Sequence, residues 1–257
     1  MYKELRTHII KLLNQDTRLD GRKPLEFRKP IEIKYGISKS AEGSAQVTMG
    51  DTIVLAGVKM SIMEPYPDTP EEGGLMIGAE LIPLSNPDFE LGPPGIQATE
   101  LGRVVDRGIR ESKAIDMKKL CIEAGKRVWS VSIDIIPLND AGNLFDIAAI
   151  AAMAALKDTR LPVYEGEKID YKHLTDQKLP LTKIPIGVTV IKIGNKFIVD
   201  PTYEEEKVVD ARLSVVSTEN GKLCAMQKGG DYPLNPEEIN EMVEIGIEKA
   251  KELRKFL

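Results

Sequence analysis

Residues 147–156, IAAIAAMAAL, run for ten positions without one polar side chain. A helix that is apolar all round has to be buried, so this segment is a core helix and the rest of the chain must supply the layers that cover it. It is also about half of the roughly 20 residues that a membrane-crossing helix needs. The N-terminal segment MYKELRTHIIKLL interrupts its apolar residues with Lys3, Glu4, Arg6 and Lys11 and lacks a small-residue cleavage site. These features predict a cytoplasmic protein that does not engage a membrane. With 42% hydrophobic and 29% charged residues, 257 residues in all and a formal charge of −5, the composition is that of one large or two small globular domains. Disorder and collagen-like repeats are excluded.

Several chemistries lose their usual signals. His8 and His173 are the only histidines and Cys121 and Cys224 the only cysteines, so a zinc cage at usual ligand spacing cannot be assembled. A two-cysteine chain gives no disulfide framework, and both thiols read as buried apolar groups. A Ser-His-Asp triad is not indicated: His8 sits in an amphipathic segment and His173 in a polar one. Neither a dinucleotide fingerprint nor a P-loop is present, because Gly73, Gly74 and Gly78 lack a following Lys-Ser/Thr.

Periodicity predicts an amphipathic helix over 3–13, followed by a charged connector. Strands are expected at PIEIKYGI, SAQVTM and Thr52–Met63, then at LMIGAELIPL after a Pro/Gly-rich loop. A helix should follow Pro93-Pro94-Gly95, then a strand over Arg127–Leu138 and the apolar helix. Residues 161–182 read as a polar linker. Short strands follow at IPIGVTVIKI, KFIVD, ARLSVVS and KLCAMQKGG, and a last helix over Pro236–Leu253 repeats apolar residues at spacings of three and four. This is an α+β layout in two lobes.

Three features could carry chemistry. On the helix after Gly95, Arg103, Arg107 and Arg110 fall within about 60° of one another at about 100° per residue, opposite Leu101, Val104, Val105 and Ile109. Between Pro94 and Ser130 eight Lys/Arg face five Asp/Glu, a local +3 in a chain of −5. Arginine forks match phosphate geometry, so the stripe suits a nucleic-acid backbone; pairing of Glu100–Arg103, Asp106–Arg110 and Arg107–Glu111 on a solvated face is the alternative. The second feature is Asp200, Glu204, Glu205, Glu206 and Asp210, which could ligate Mg²⁺ or serve as acid and base or form a solvated turn. The third is Asn139-Asp140-Ala141-Gly142-Asn143, whose amides would face an anion at a helix N-terminus, or in which Asp140 or Asn143 is a plain N-cap.

Three segments together resemble the RNase PH family of phosphorolytic 3′→5′ exoribonucleases: RLDGRKPLEFR (Arg18–Arg28), GSAQVTMGDTIVLAGV (Gly43–Val58), and the strand, DAGN turn and alanine-rich helix over Trp129–Leu156. The stretch ELGRVVDRGIRESKAID followed by KLCIEAGKRVWSVSIDI is similar to the non-catalytic RNase PH-like subunit of the archaeal exosome. The resemblance implies two βα lobes with mixed sheets flanked by helices: a helix and connector at 1–28, a core lobe at 29–160, the linker at 161–182 and a second lobe at 183–257. It implies heterodimers with a catalytic sister, three of them closing a hexameric ring, with RNA-binding cap subunits above and single-stranded RNA threading through.

Two departures bear on activity. Catalytic members hold inorganic phosphate with Gly-Ser or Gly-Thr in the turn before the apolar helix, where this chain has Gly142-Asn143-Leu144. They carry an acid where Asp210-Ala211-Arg212 places Arg212, and a guanidinium neither donates a proton usefully nor ligates Mg²⁺. The expectation is therefore a chain with no catalytic residue, metal or cofactor of its own, Mg²⁺ and phosphate being used by the assembled complex. Arg103, Arg107 and Arg110 would bind RNA. A self-sufficient phosphorolytic exoribonuclease or nucleotidyltransferase is the alternative, and a purely architectural subunit the third reading.

Overall fold

The alternation in Thr52–Met63 is realised as burial of Thr52, Val54, Ala56, Val58 and Met60, with their neighbours half-covered. In the computed structural model, which describes residues 2–165 and 168–257, that strand is β3. The chain runs α1 (Lys3–Leu13), β1 (Ile31–Tyr35), β2 (Gly43–Met49), β3 (Thr52–Met63), β4 (Gly74–Ala79), α2 (Ile96–Ser112), β5 (Cys121–Glu123), β6 (Arg127–Asn139) and α3 (Leu144–Asp158). It continues through β7 (Arg160–Glu165), β8 (Lys168–Lys178), β9 (Ile186–Ile193), β10 (Lys196–Val199), α4 (Tyr203–Glu206), β11 (Ala211–Ser217), β12 (Leu223–Gly229) and α5 (Pro236–Leu253).

The first sheet is mixed, with order β1-β2-β3-β6-β4 and β5 beside β6; only β4 runs parallel to its neighbour. The second, β10-β9-β11-β12, is antiparallel throughout. The apolar helix α3 packs on β2 and β3 from one side and on β9 from the other, which is why it needs no polar face. Every residue of β9 is buried. Ile186, Val188 and Val190 join the main core, while Ile191 and Ile193 turn the other way to meet Ile9 and Leu13 of α1. Arg6 fixes α1 by pairing with Asp210 at 2.9 Å. Asn235 and Glu238 form a capping box that starts α5 at Pro236.

One expectation is corrected. Residues 161–182 are not an irregular linker: most of them belong to an antiparallel pair, β7 with β8, in which Pro162 lies opposite Leu174. Gly166 and Glu167 lie outside the described residues. Because β8 is exposed along most of its length, it carries no apolar alternation that would mark it as a strand. The thiols also differ, Cys121 and Cys224 being half-buried rather than enclosed. No helix among the described residues is long and apolar enough to cross a membrane.

Candidate functional site

The turn between β6 and α3 is held from several directions. Thr52 Oγ1 donates to the Gly142 carbonyl at 2.8 Å and accepts from the Ala141 amide at 3.1 Å. Arg28 donates to the carbonyls of Ala141 and Gly142 at 2.7 and 2.9 Å. Gly142 has φ 102°, and a Cβ there would lie 2.4 Å from the Pro201 carbonyl oxygen, so only glycine fits. Asn143 follows in the left-handed region at φ 63°. Its side chain does not cap the helix, contrary to the plain N-cap reading. Its amide N–H donates instead to Glu206 Oε1 at 2.8 Å. One of the donors that could greet an anion at the start of α3 is therefore taken by the chain's own carboxylate, where the partial positive charge of the helix N-terminus favours it.

Beside this turn α2, α3 and α4 enclose a cleft of about 290 Å³. Four carboxylates line it, Asp88, Glu100, Asp140 and Glu206, against two cations, Lys207 and Arg212. Glu100 reaches past Arg103 to pair with Arg212 at 2.6 Å, and the Arg212 guanidinium lies 4.8 Å from the Phe145 ring centroid. Lys207 pairs with Asp88 at 2.8 Å and sits 4.2 Å from the Tyr203 ring centroid. Solvent reaches Glu206, but the cleft walls strip enough of its water, and Asp140 adds enough like charge, to push its pKa up to about 7 despite the Asn143 hydrogen bond. A phosphate entering here would meet carboxylates and an amide already engaged.

The acidic run is not a solvated turn. Asp200 and Glu205 are fully buried. Arg18 forks Glu205 and also donates to the carbonyls of Val199 and Asp200, both at 2.8 Å. Asp200 accepts from Arg22 at 2.9 Å, Arg28 at 2.7 Å and Asn143 Nδ2 at 3.0 Å. The charged connector thus clamps the second lobe to the turn before α3. Glu205 also completes a capping box with Thr202 that builds α4. With Glu205 used by Arg18 and Glu206 by Asn143, these residues do not fit Mg²⁺; among the described residues no three His, Cys, Asp or Glu side chains converge as a metal ion would require.

The three stripe arginines have unequal surroundings. Arg103, Arg107 and Arg110 are all exposed on α2. Arg107 donates to Gln227 at 2.9 Å, a contact that leaves most of its guanidinium open. Arg110 forks Asp106 and donates to the Leu75 carbonyl at 3.0 Å, so it ties α2 to β4. Of the helical pairings expected from spacing, Asp106–Arg110 forms, whereas Glu100 turns to Arg212. His173 lies exposed and bonded to Asp170, and His8 is exposed on α1.

Models of the 3′ exoribonuclease family match this chain twice, domain 1 over residues 26–162 and domain 2 over residues 183–249. The chain belongs to the 3′ exoribonuclease family. Among members of that family, it is 47% identical to the exosome complex component Rrp42 of Methanocella arvoryzae over 98% of this chain and 95% of that one. It is 46% identical to the Rrp42 of Archaeoglobus fulgidus over 97% and 94%. A solved structure of the Archaeoglobus fulgidus exosome with RNA bound to the active site contains a chain that superposes with TM-score 0.90 at 45% identity, covering 97% of this chain and 96% of that one. Rice Rrp46, at 19% identity and TM-score 0.70, shares the fold. The two lobes and their sheets are those of the 3′ exoribonuclease family, the first mixed and the second antiparallel. Its residues in the cleft were foreshadowed unequally: Arg212 was singled out from sequence, but its partner Glu100 and the role of Glu206 were not, since 112 and 63 residues separate the bonded groups.

Proposed function

We propose that the chain is a non-catalytic subunit of an archaeal-type exosome, the partner of a catalytic RNase PH-like sister in a phosphorolytic 3′→5′ RNA-degrading complex that also runs in reverse to add tails. Three such heterodimers close a hexameric ring, cap subunits bind above it and single-stranded RNA passes through it. The sister supplies phosphate binding, Mg²⁺ and the acid. The observation that carries this reading is the occupation of the Asn143 amide by Glu206, in a cleft where Arg212 stands in place of the family's acid. Similarity to Rrp42 chains along nearly the whole length supports the same reading.

In this reading Arg103 and Arg107 grip RNA phosphates at the subunit boundary, while Arg110 serves the fold. A negative net charge is compatible with that role, because backbone binding requires only a local positive surface. The test uses the chain alone and paired with a catalytic sister, each incubated with 5′-labelled oligoadenylate, Mg²⁺ and inorganic phosphate. The chain alone should leave the label at full length, and the pair should produce a shortening ladder and nucleoside diphosphate. Phosphate-dependent shortening by the chain alone, abolished by Glu206→Gln, would establish the self-sufficient enzyme instead. Arg103→Glu with Arg107→Glu should weaken RNA binding by the ring at low salt with assembly intact; loss of the ring would favour the architectural role.

A further inference from the structure

The seam between the two lobes encloses a carboxyl group that the cleft does not use. Asp146, in the first turn of α3, is 1% exposed. Its Oδ1 accepts the Thr189 amide of β9 at 2.7 Å, and its buried Oδ2 accepts no hydrogen bond from the described residues. Beside it the Thr189 and Ser214 hydroxyls, from β9 and β11, are bonded to each other at 2.8 Å. These three side chains line a crevice of about 20 Å³ whose other walls are apolar, among them Val104 and Ile109 of α2, Phe145 and Met153 of α3 and Val216 of β11. No basic residue and no second acid lines it. Arg212, on the same face of β11 as Ser214, is turned to Glu100. Asp200 adds like charge to Asp146 from farther off and is itself paired with Arg22 and Arg28.

A carboxylate in such a place is unfavourable, because it has no cation to face, whereas the acid form needs only an acceptor for its proton. The crevice exceeds the about 10–15 Å³ that one water requires, and its polar groups match the roughly two to four partners that a buried water takes. A metal ion would meet one carboxylate and two hydroxyls where about six oxygens are needed. Burial, with Asp200 as a further negative charge, pushes the Asp146 pKa up to about 8 against the pull of the Thr189 and Asn143 hydrogen bonds, as suits a group that keeps its proton.

We propose that Asp146 is a proton-operated tie between the lobes: as a neutral acid it donates from Oδ2 to one water held in the crevice, and that water donates to the Ser214 hydroxyl. The tie joins α3 of the first lobe to β9 and β11 of the second. When the proton passes to bulk solvent, a charge without a counter-ion remains in the seam and loosens it. Because the folded chain holds this proton more tightly than the unfolded one, the tie is complete at low pH and is lost as pH rises through the Asp146 titration. It follows from the seam alone and holds whatever assembly the chain joins.

The experiment is NMR titration of the whole chain carrying ¹³C-labelled aspartate carboxyls, joined to amide exchange over the same pH range and a crystal structure near neutral pH. The Asp146 resonance, assigned by its absence from Asp146→Asn, should show the acid form at neutral pH, and the crystal should hold one water within hydrogen-bond distance of Asp146 Oδ2 and Ser214 Oγ. Above the titration midpoint, exchange of the β9 amides should rise more steeply than hydroxide catalysis alone requires, as local opening adds to it. Asp146→Asn can still accept from Thr189 and donate to the water, and should show only the hydroxide dependence. Ser214→Ala deprives the water of its acceptor and should lower the midpoint by about half a pH unit or more, the scale of one neutral hydrogen bond. An ionised Asp146 at neutral pH, a crevice without that water, exchange profiles alike in the wild type and Asp146→Asn, or an unmoved midpoint in Ser214→Ala would each overturn the proposal.

Discussion

Arg18→Met is the sharpest probe of how the charged connector holds the fold. Arg18 and Glu205 both have side chains with 0% exposure. The guanidinium donates through Nε to Glu205 Oε1 at 2.9 Å, through Nη2 to the other carboxylate oxygen, and to two backbone carbonyls at 2.8 Å. Removing one partner of a buried ion pair strands the other charge, at a cost of about 3–5 kcal/mol. Each carbonyl left dry adds about 1–3 kcal/mol before relaxation. Because such terms are not additive, the expected loss is about 4–6 kcal/mol, a large share of the roughly 5–15 kcal/mol by which domains are stable. Urea unfolding followed by far-UV circular dichroism, with the slope checked for constancy, measures it. Arg18→Met combined with Glu205→Leu no longer buries a lone carboxylate and should recover at least about half the loss. A single variant costing less than about 1 kcal/mol, or a double variant no more stable than the single, would refute the reasoning.

Other outcomes follow from individual contacts. Asp146 is buried, accepts the Thr189 amide at 2.7 Å, and is pushed by desolvation from 3.8 up to about 8. The folded chain therefore keeps a proton that the unfolded chain has lost. Stability should fall as pH rises from about 4 to about 8, by up to about 1.4 kcal/mol per pH unit from this group, and level off above; Asp146→Asn should reduce that slope in urea titrations, leaving the contribution of Glu206, whose pKa is also raised. Gly142→Ala sets a Cβ against the Pro201 carbonyl at φ 102°, and a loss above about 2 kcal/mol is expected in the same assay. In filter binding by the assembled ring, Arg103→Ala should weaken single-stranded RNA several-fold more than Arg110→Ala, whose guanidinium is engaged with Asp106 and Leu75. Arg212→Ala should leave turnover of the assembled complex within about twofold, and a large rate loss would show that the guanidinium takes part in the reaction.

What could be read from sequence was whatever one element imposes on itself. The apolar helix, the alternation of β3 and the spaced apolar residues of α5 declare their partners by periodicity. The strand β8 does not, because both its faces are largely wet. Glu204, Glu205 and Glu206 look equivalent in sequence, yet Glu205 is fully buried on Arg18, Glu206 faces the cleft and Glu204 is exposed. Their difference comes from Arg18, 187 residues away, and from the turn before α3. The RLDGRKPLEFR motif carried the resemblance, but its physical task, three arginines locking Asp200 and Glu205, becomes visible only when the second lobe is in place.

The helix α3 lies against both sheets with no polar side of its own. A gene fragment ending near residue 160 would produce a lobe with that helix bare on one flank, and the remaining fragment would have a sheet lacking its floor. Neither half is suited to existence alone, yet each holds what the other lacks. Expressed together, the two fragments should find one another and restore a single particle, so a reporter split at the β7–β8 segment would signal reassembly driven by one shared apolar rod.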